Sequence, residues 1–370
     1  MTAALPATGN PVISGWSAVS PFGLGREVFR EGLRAGWKTA TDLDAGQWAT
    51  PDAQACLVPD FSVRELLGRK GTRDMDRVTG LAVIAVGRLL GGDEGYPAVP
   101  TGEDTALVLG TTTGSAESMM GYTRTSMQKS KPFLVDPALM PNAVMNCAAG
   151  QCAIRHGLKG PNTTIAGGQS AGLFALNYAR RLLASGRAGK VLCGAAEEFS
   201  QARSWLEHHR RGPEHVGTVL GEGSAMFLLE DGRAVAPDRP PLAEVLGVHS
   251  RVHLRGDIRS ALVACVSGAL EVTGVQPEEV WAVVPSGAQR QAAEQERAAL
   301  DQLFPDSATR RIEVADLLGD TGAAGAAFQI SAALSTAQDH PDAAGRVAVI
   351  TSTDVDGSVA CALIRLLGDR

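Results

Sequence analysis

The sequence predicts an α/β fold made of two similar halves in stacked layers, and three observations predict it. The first is an internal repeat. In the first half, "GGQSAGLFALNYARRLLASGRAGKVLCGAAEE" runs Gly turn, Ala-rich helix, short loop, strand, and a Gly-led strand "GEGSAMFLLE" (221–230) follows. In the second half, "GDTGAAGAAFQISAALSTAQDHPDAAGRVAVITSTD" repeats that order, again followed by a Gly-led strand, "DGSVACALIRLL". A recurring order of elements marks a duplicated supersecondary unit. The second observation is that both Ala-rich helices are apolar nearly all round and must be buried on every side. Their natural place is between two sheets. The third is that the strands are short apolar runs ending in small or polar residues, the pattern of strands covered on both faces.

The elements follow in order. "NPVISGWSAVSPFGLG" is a short apolar strand and a Gly/Pro turn, and "DRVTGLAVIAVGRLLGG" is a helix closed by Gly. "TALVLGTTTGS" (105–115) is a buried strand. "TTTGSAESMMGYTRTSMQKSKPF" (111–133) mixes Gly, Ser, Met and Phe, and its methionines either join the core or line an adaptable apolar channel. The small residues of "PNAVMNCAAGQCAIRHGLKGPNTTIAGG" (141–168) suit packing against a close neighbour, such as another subunit. "SAGLFALNYARRLLASG" is a second Gly-closed helix, and "KVLCGAAEEF" (190–199) a buried strand. "DGRAVAPDRPP" (231–241) is Pro-rich and polar and serves as the linker, so the halves are 1–235 and 236–370 within one compact body. The second half opens on a strand, "LAEVLGVHS", and "RVAVITSTD" (346–354) is another.

Composition narrows the function. The chain has 370 residues, net charge −6 and no clustering of basic side chains, which argues against nucleic acid as the main partner. No apolar run reaches the roughly 18–20 residues of a membrane span. The start "MTAALPATGNP" has neither the charged region nor the apolar core of a signal peptide. The cysteines, at 56, 147, 152, 193, 265 and 361, form no CxxC pair; reduced, buried thiols in a cytoplasmic protein are expected. No HExxH, Cys/His metal spacing, P-loop or GxGxxG at a strand–helix junction occurs, so neither metal nor cofactor is expected.

The stretch "IAGGQSAGLFAL", residues 165–176, is a Gly-Gly turn opening a helix. A side chain presented there feels the positive end of the helix dipole and free N–H donors. A Cys in that place becomes a thiolate nucleophile. Here the residue is Gln169, whose amide is inert. Ser170 is adjacent, but a serine needs a base within reach. Acyl transfer near neutral pH usually uses histidine. His208, His209 and His215 fall in a polar, loop-like segment, and His340 in a loop after the second Ala-rich helix. His156, His249 and His253 complete the seven, and none stands in a Gly-rich turn after a strand.

Four landmarks, "PVISGWSAVSPFG", "PNAVMNCAAGQCAIRHGLKGPNTTIAGGQSAG", "GEGSAMFLLE" and "GDTGAAG", resemble those of the β-ketoacyl synthases of the thiolase superfamily, in family order and over essentially the whole chain. The resemblance implies a thiolase-like duplicated five-layered αβαβα fold and a dimer whose interface runs beside the nucleophile turn. Active members use one Cys and two His. The Cys position matches Gln169. The first His matches Pro285 in "VVPSGAQRQAAEQE", and the second matches Asp320 in "GDTGAAG", one residue shorter than the family turn. No His lies between 254 and 339. The Gly-rich loop that helps form the family's oxyanion hole is replaced by "STDVDGSVACAL".

A Gln in the nucleophile turn resembles the chain length factor, the β subunit of type II polyketide synthase ketosynthases. That implies a subunit without catalytic residues of its own. It pairs with a ketosynthase α subunit and shapes the channel into which a chain carried by an acyl carrier protein grows. The channel-lining positions would be Ala116, Met119, Met120, Thr123 and Phe133. Small Ala and Thr and flexible Met suit a long, straight, reduced (polyene-like) chain. The alternative is a malonyl-carrier-protein decarboxylase with Gln169 in place of Cys; family domains of that kind keep both His. Two further readings are a thiolase-like acyltransferase using Ser170 or Cys147, and a homodimeric scaffold.

Overall fold

The structure is a computed structural model that describes residues 9–91, 97–211, 218–236, 238–252, 256–287, 290–305, 307–354 and 356–368. His215, His253 and the first eight residues lie outside these. The first half contributes strands β1 (Pro11–Ser20), β2 (Thr105–Thr111), β3 (Asn162–Ala166), β4 (Lys190–Glu197) and β5 (Gly223–Asp231). The second contributes β6 (Ala243–Val252), β7 (Val280–Val284), β8 (Arg310–Arg311), β9 (Val347–Thr353) and β10 (Ser358–Leu366). The principal helices are α1 (Arg26–Ala35), α2 (Arg77–Gly91), α3 (Ala116–Gln128), α4 (Cys147–His156), α5 (Ala171–Ala184), α6 (Gln201–Arg211), α7 (Ile258–Thr273), α8 (Arg290–Leu303) and α9 (Gly325–Gln338).

The strands run β8-β7-β9-β10-β6-β1-β5-β4-β2-β3 in one sheet. The two halves are copies in pairing as well as in order. β1–β5 and β5–β4 are antiparallel, and β4–β2 and β2–β3 parallel. β6–β10 and β10–β9 are likewise antiparallel, and β9–β7 and β7–β8 parallel. Even the irregularity is repeated: the register shifts between Ile13 and Gly15 in β1, and between Val245 and Gly247 in β6. The halves join where Val12 faces Glu244 and Ile13 faces Ala243.

Period-two alternation explains the layers. In β2, Ala106 and Val108 face the central core while Leu107 and Leu109 face a second core under α2 and α4. In β9, Ala348 and Ile350 face the central core, and Val347 and Val349 face a third core under α7 and α8. Helices α5 and α9 fill the centre, giving helix, sheet, helix, sheet, helix. Ten consecutive residues of α9, Ala326 to Ser335, are buried, as its all-round apolar sequence requires. Small residues let the central pair approach: a Cβ on Gly172 of α5 would lie 3.1 Å from the Ala326 Cβ of α9.

Two segments differ from the sequence expectation. Of the stretch read as loop-like, residues 205–215, residues 205–211 belong to helix α6, with His208 and His209 on it, and 212–215 lie outside the described residues. Within 111–133, read only as a mixture of Gly, Ser, Met and Phe, residues 116–128 form α3, capped by the Ser115 side chain on the Ser118 N–H.

Candidate functional site

Two glycine turns build the site, one from each half. Gly168–Ser170 is a single 3-10 turn leading into α5, and Gly322–Ala324 is its counterpart leading into α9. Gly168 (φ 55°) and Gly322 (φ 52°) adopt the left-handed conformation that glycine accepts without steric cost. The turns bring Gln169 and Asp320 together. Gln169 Nε2 donates to Asp320 Oδ1 at 2.9 Å, and the same oxygen accepts the Gly322 N–H at 2.9 Å.

The Gln169 backbone N–H is also engaged. It donates to Asp354 Oδ2 at 2.9 Å, and Asp354 itself is buried. Asp354 follows β9, at the start of the segment that replaces the Gly-rich loop. Its Oδ1 accepts the Asp356 N–H at 3.1 Å and lies 3.6 Å from Arg210 Nη1 of α6. A Cβ on Gly168 would collide with Asp354 Oδ2, so the glycine also makes room for the carboxylate. Ser170 Oγ is 3.1 Å from Ser352 Oγ, and no base contacts it among the described residues.

Pro285 is buried just beyond β7, but it is the next residue, Ser286, that lines the cavity beside Gln169. Ser286 Oγ donates to Glu296 Oε2 at 2.8 Å, and Glu296 also accepts the Ser286 and Gly287 N–H groups and the Thr351 hydroxyl. The cavity holds about 20 Å³ between Gln169, Ser286, Leu318, Thr321, Gln329 and Ser352. That is room for about one water molecule.

A buried polar chain connects this corner to α3. Arg203 of α6 donates through Nη2 to the Asp320 carbonyl (2.9 Å) and through Nη1 to the Glu198 and Gly221 carbonyls. Its Nε is 4.0 Å from Glu197 Oε1. Glu197 accepts the Thr112 hydroxyl at 2.7 Å and the Ala323 N–H at 3.2 Å. Burial raises the Glu197 pKa against the pull of Arg203. Glu198 accepts the Ser115 hydroxyl (3.1 Å) and the Glu117 N–H (3.2 Å) at the start of α3, and the Val78 N–H at the start of α2. Burial, then the charge of Asp76, push its pKa up to about 8.

Ala116, Met119, Met120 and Thr123 share one face of α3, at i, i+3, i+4 and i+7. Burial declines along it, from Ala116 (buried) and Met119 (half-buried) to Thr123 (exposed). Phe133 stands apart, 71% exposed in the loop beyond the helix. Met127 (82%), Met140, Met145 and, on α4, Ile154 (79%) are also exposed. The adjacent strand β3 pairs only with β2 among the described residues, so its outer edge is open to a partner. Sequence reasoning did not find Arg203, Glu197, Glu198 or Glu296. Asp354 was visible only as part of the replaced loop.

No helix among the described residues is long and apolar enough to cross a membrane. The fold and the paired glycine turns place the chain among the thiolase-like proteins. Residues 10–234 match the family model "Beta-ketoacyl synthase, N-terminal domain", and the chain belongs to that family. It is 28% identical to 3-oxoacyl-[acyl-carrier-protein] synthase 2 of Rhizobium meliloti over 86% of this chain and 84% of that one. It is 29% identical to the tetracenomycin polyketide synthase ketoacyl synthase alpha subunit of Streptomyces glaucescens, over 79% of this chain and 68% of that one. Among solved structures, the ishigamide ketosynthase/chain length factor matches with a TM-score of 0.93 at 49% identity, covering 97% of this chain and 100% of that one. A type II polyketide acyl-carrier protein in complex with its ketosynthase matches in fold, with a TM-score of 0.79 at 19% identity over 97% and 99% of the two chains.

Proposed function

We propose that this chain is the chain length factor of a type II polyketide ketosynthase: a subunit without catalytic residues of its own, paired with a catalytic α subunit. One observation carries the reading. At the position of the family's nucleophile, both the side chain and the backbone N–H of Gln169 are bound by carboxylates, Asp320 and Asp354. Acyl transfer from a thioester needs a nucleophile, a proton acceptor for it and donors aimed at the developing oxyanion. Gln169 supplies no nucleophile. The N–H at that helix start is occupied by Asp354, and the adjoining cavity of about 20 Å³ admits no acyl chain.

The same geometry weighs against decarboxylation. Loss of carbon dioxide from a malonyl thioester builds negative charge on the thioester oxygen, and donors must stabilise it. Here two buried carboxylates face the place where that charge would form.

The retained function is then steric. The exposed apolar side chains at Met127, Phe133 and Ile154 and the open edge of β3 dock the α subunit. The chain begun on the partner's active site, delivered by an acyl carrier protein, extends along the Ala116–Thr123 face of α3. Its small and flexible side chains fit a long, straight, reduced chain. The test is to purify the tagged chain with its cognate ketosynthase and measure native mass, condensation and carbon dioxide release. A one-to-one heterodimer that condenses only when both subunits are present supports the proposal. A homodimer indifferent to the ketosynthase, or carbon dioxide release by this chain alone, refutes it.

A further inference from the structure

A second cluster of reactive groups lies far from Gln169, in the outer core of the second half. Cys265 of α7 and Cys361 of β10 are both buried, and their sulfurs are 3.7 Å apart. Both are free thiols. Cys361 lies directly opposite His249 in the β6–β10 pairing, so the thiol and the imidazole share the sheet face under α7. Arg251, two residues further along β6, points to that face too, and its Nη2 comes within 3.6 Å of where a Cβ on Gly268 of α7 would lie. Gly268 is one helical turn from Cys265. Arg251 has no ion-pair partner among the described residues.

We infer that Cys265 and Cys361 are a redox-active dithiol that closes to an intramolecular disulfide, with a peroxide as the class of oxidant. Of the two sulfurs, Cys265 is the nucleophile. Its contact with the Cys361 thiol and the Arg251 charge hold the Cys265 pKa below its usual value despite burial; Cys361 is driven up in turn. The thiols of Cys56, Cys147, Cys152 and Cys193 are all shifted the other way, chiefly by burial. Burial and the charges of Arg180 and Arg251 lower the His249 pKa, which favours its neutral imidazole.

The step balances. The Cys265 thiolate attacks one peroxide oxygen, the O–O bond breaks, and hydroxide leaves, picking up a proton to become water. The Cys361 sulfur then attacks the resulting sulfenic acid and gives up its proton. The S–S bond forms and hydroxide leaves, taking that proton to become a second water. Two thiols lose two electrons in total, and one hydrogen peroxide gains them. The product ties α7 to β10 and fixes the outer helical layer on its sheet.

The test uses the purified heterodimer, treated with hydrogen peroxide, quenched with N-ethylmaleimide and analysed by intact mass and tryptic mapping. Closure lowers the mass of this subunit by 2 Da and joins peptide 260–290 to peptide 347–365 through Cys265 and Cys361. Cys265→Ser abolishes the product. Arg251→Gln, at an exposed position, keeps the fold and slows closure about three- to tenfold, since one pKa unit is tenfold in thiolate at a given pH. The oxidised protein melts a few degrees higher, because the crosslink constrains its unfolded chain. Failure to form the linked peptides, or oxidation falling on the half-buried Cys147 while 265 and 361 stay free, overturns the inference. An unchanged rate in Arg251→Gln overturns the assignment of Cys265 as the nucleophile.

Discussion

If Asp354 is the reason Gly168 must be glycine, Gly168→Ala should carry two separable costs. The first is conformational: φ 55° is left-handed, and an L side chain there costs about 1–2 kcal/mol. The second is electrostatic: the new Cβ collides with Asp354 Oδ2 and displaces it. The buried Gln169 N–H then loses its acceptor, at about 1–3 kcal/mol. The sum is about 2–5 kcal/mol, large against the 5–15 kcal/mol of a typical domain. In an Asp354→Ala background the acceptor is already gone, so Gly168→Ala should cost only about 1–2 kcal/mol. The assay is a double-mutant cycle by urea unfolding of the heterodimer at fixed protein concentration. A coupling of about 1–3 kcal/mol between the sites is expected. A cost below about 1 kcal/mol for Gly168→Ala, or the same cost in both backgrounds, would refute the placement of Asp354 over the turn.

Met119→Trp, on the half-buried part of the α3 face, should shorten the product by mass spectrometry; unchanged product length would remove that face from the channel. Gln169→Cys should yield a subunit that neither condenses nor takes up radiolabelled acyl groups, because Asp320 and Asp354 remain where a base and oxyanion donors are needed. Ile154→Glu should weaken subunit association by about 2 kcal/mol or more, roughly thirtyfold, in sedimentation or native mass measurements. The pH dependence of stability tests Glu198. Its folded pKa of about 8 lies above the unfolded value of about 4.3, so the folded state holds the extra proton between them. Stability should therefore fall as pH rises from about 4.5 to 8, by up to about 1.4 kcal/mol per unit from this group. Glu198→Gln should flatten that slope.

The parts of the fold that were legible in sequence are those where local chemistry and tertiary demand agree. Helix α9 is apolar all round because it is buried all round, and Gly168 and Gly322 stand where the backbone is left-handed. Helix α6 was missed because Glu207, His208, His209 and Arg210 read as a polar loop. What fixes it is long-range: Arg203 reaching the Asp320 carbonyl, and the Trp205 Nε1–H donating to the Ala49 carbonyl at 2.9 Å. At the site, motif order singled out Gln169 and Asp320 one by one, and their hydrogen bond is seen only in the structure. The Asp354 contact spans 185 residues of chain and has no local signature. Pro285 matched a position at the end of β7, but the side chain that lines the cavity belongs to its neighbour, Ser286.

Why an inert glutamine keeps so elaborate a setting follows from what the setting holds. Gln169 ties the turn before α5, in the first half, to Asp320 and Asp354, both in the second. The Asp320 carbonyl anchors Arg203, which lies against Glu197, and Glu197 holds Thr112 at the end of β2. The next residue, Glu198, grips Ser115 and the Glu117 N–H, fixing the first turn of α3. Every link is buried or half-buried, where a lost partner leaves an unpaired polar group at about 1–3 kcal/mol. The proposed chain length factor needs no thiolate, but it needs α3 rigidly placed beside the chain it is proposed to measure. Trimming the glycine turns would free the first turn of that helix, and with it the side chains proposed to set product length. The corner around Gln169 is thus explained by the helix it supports.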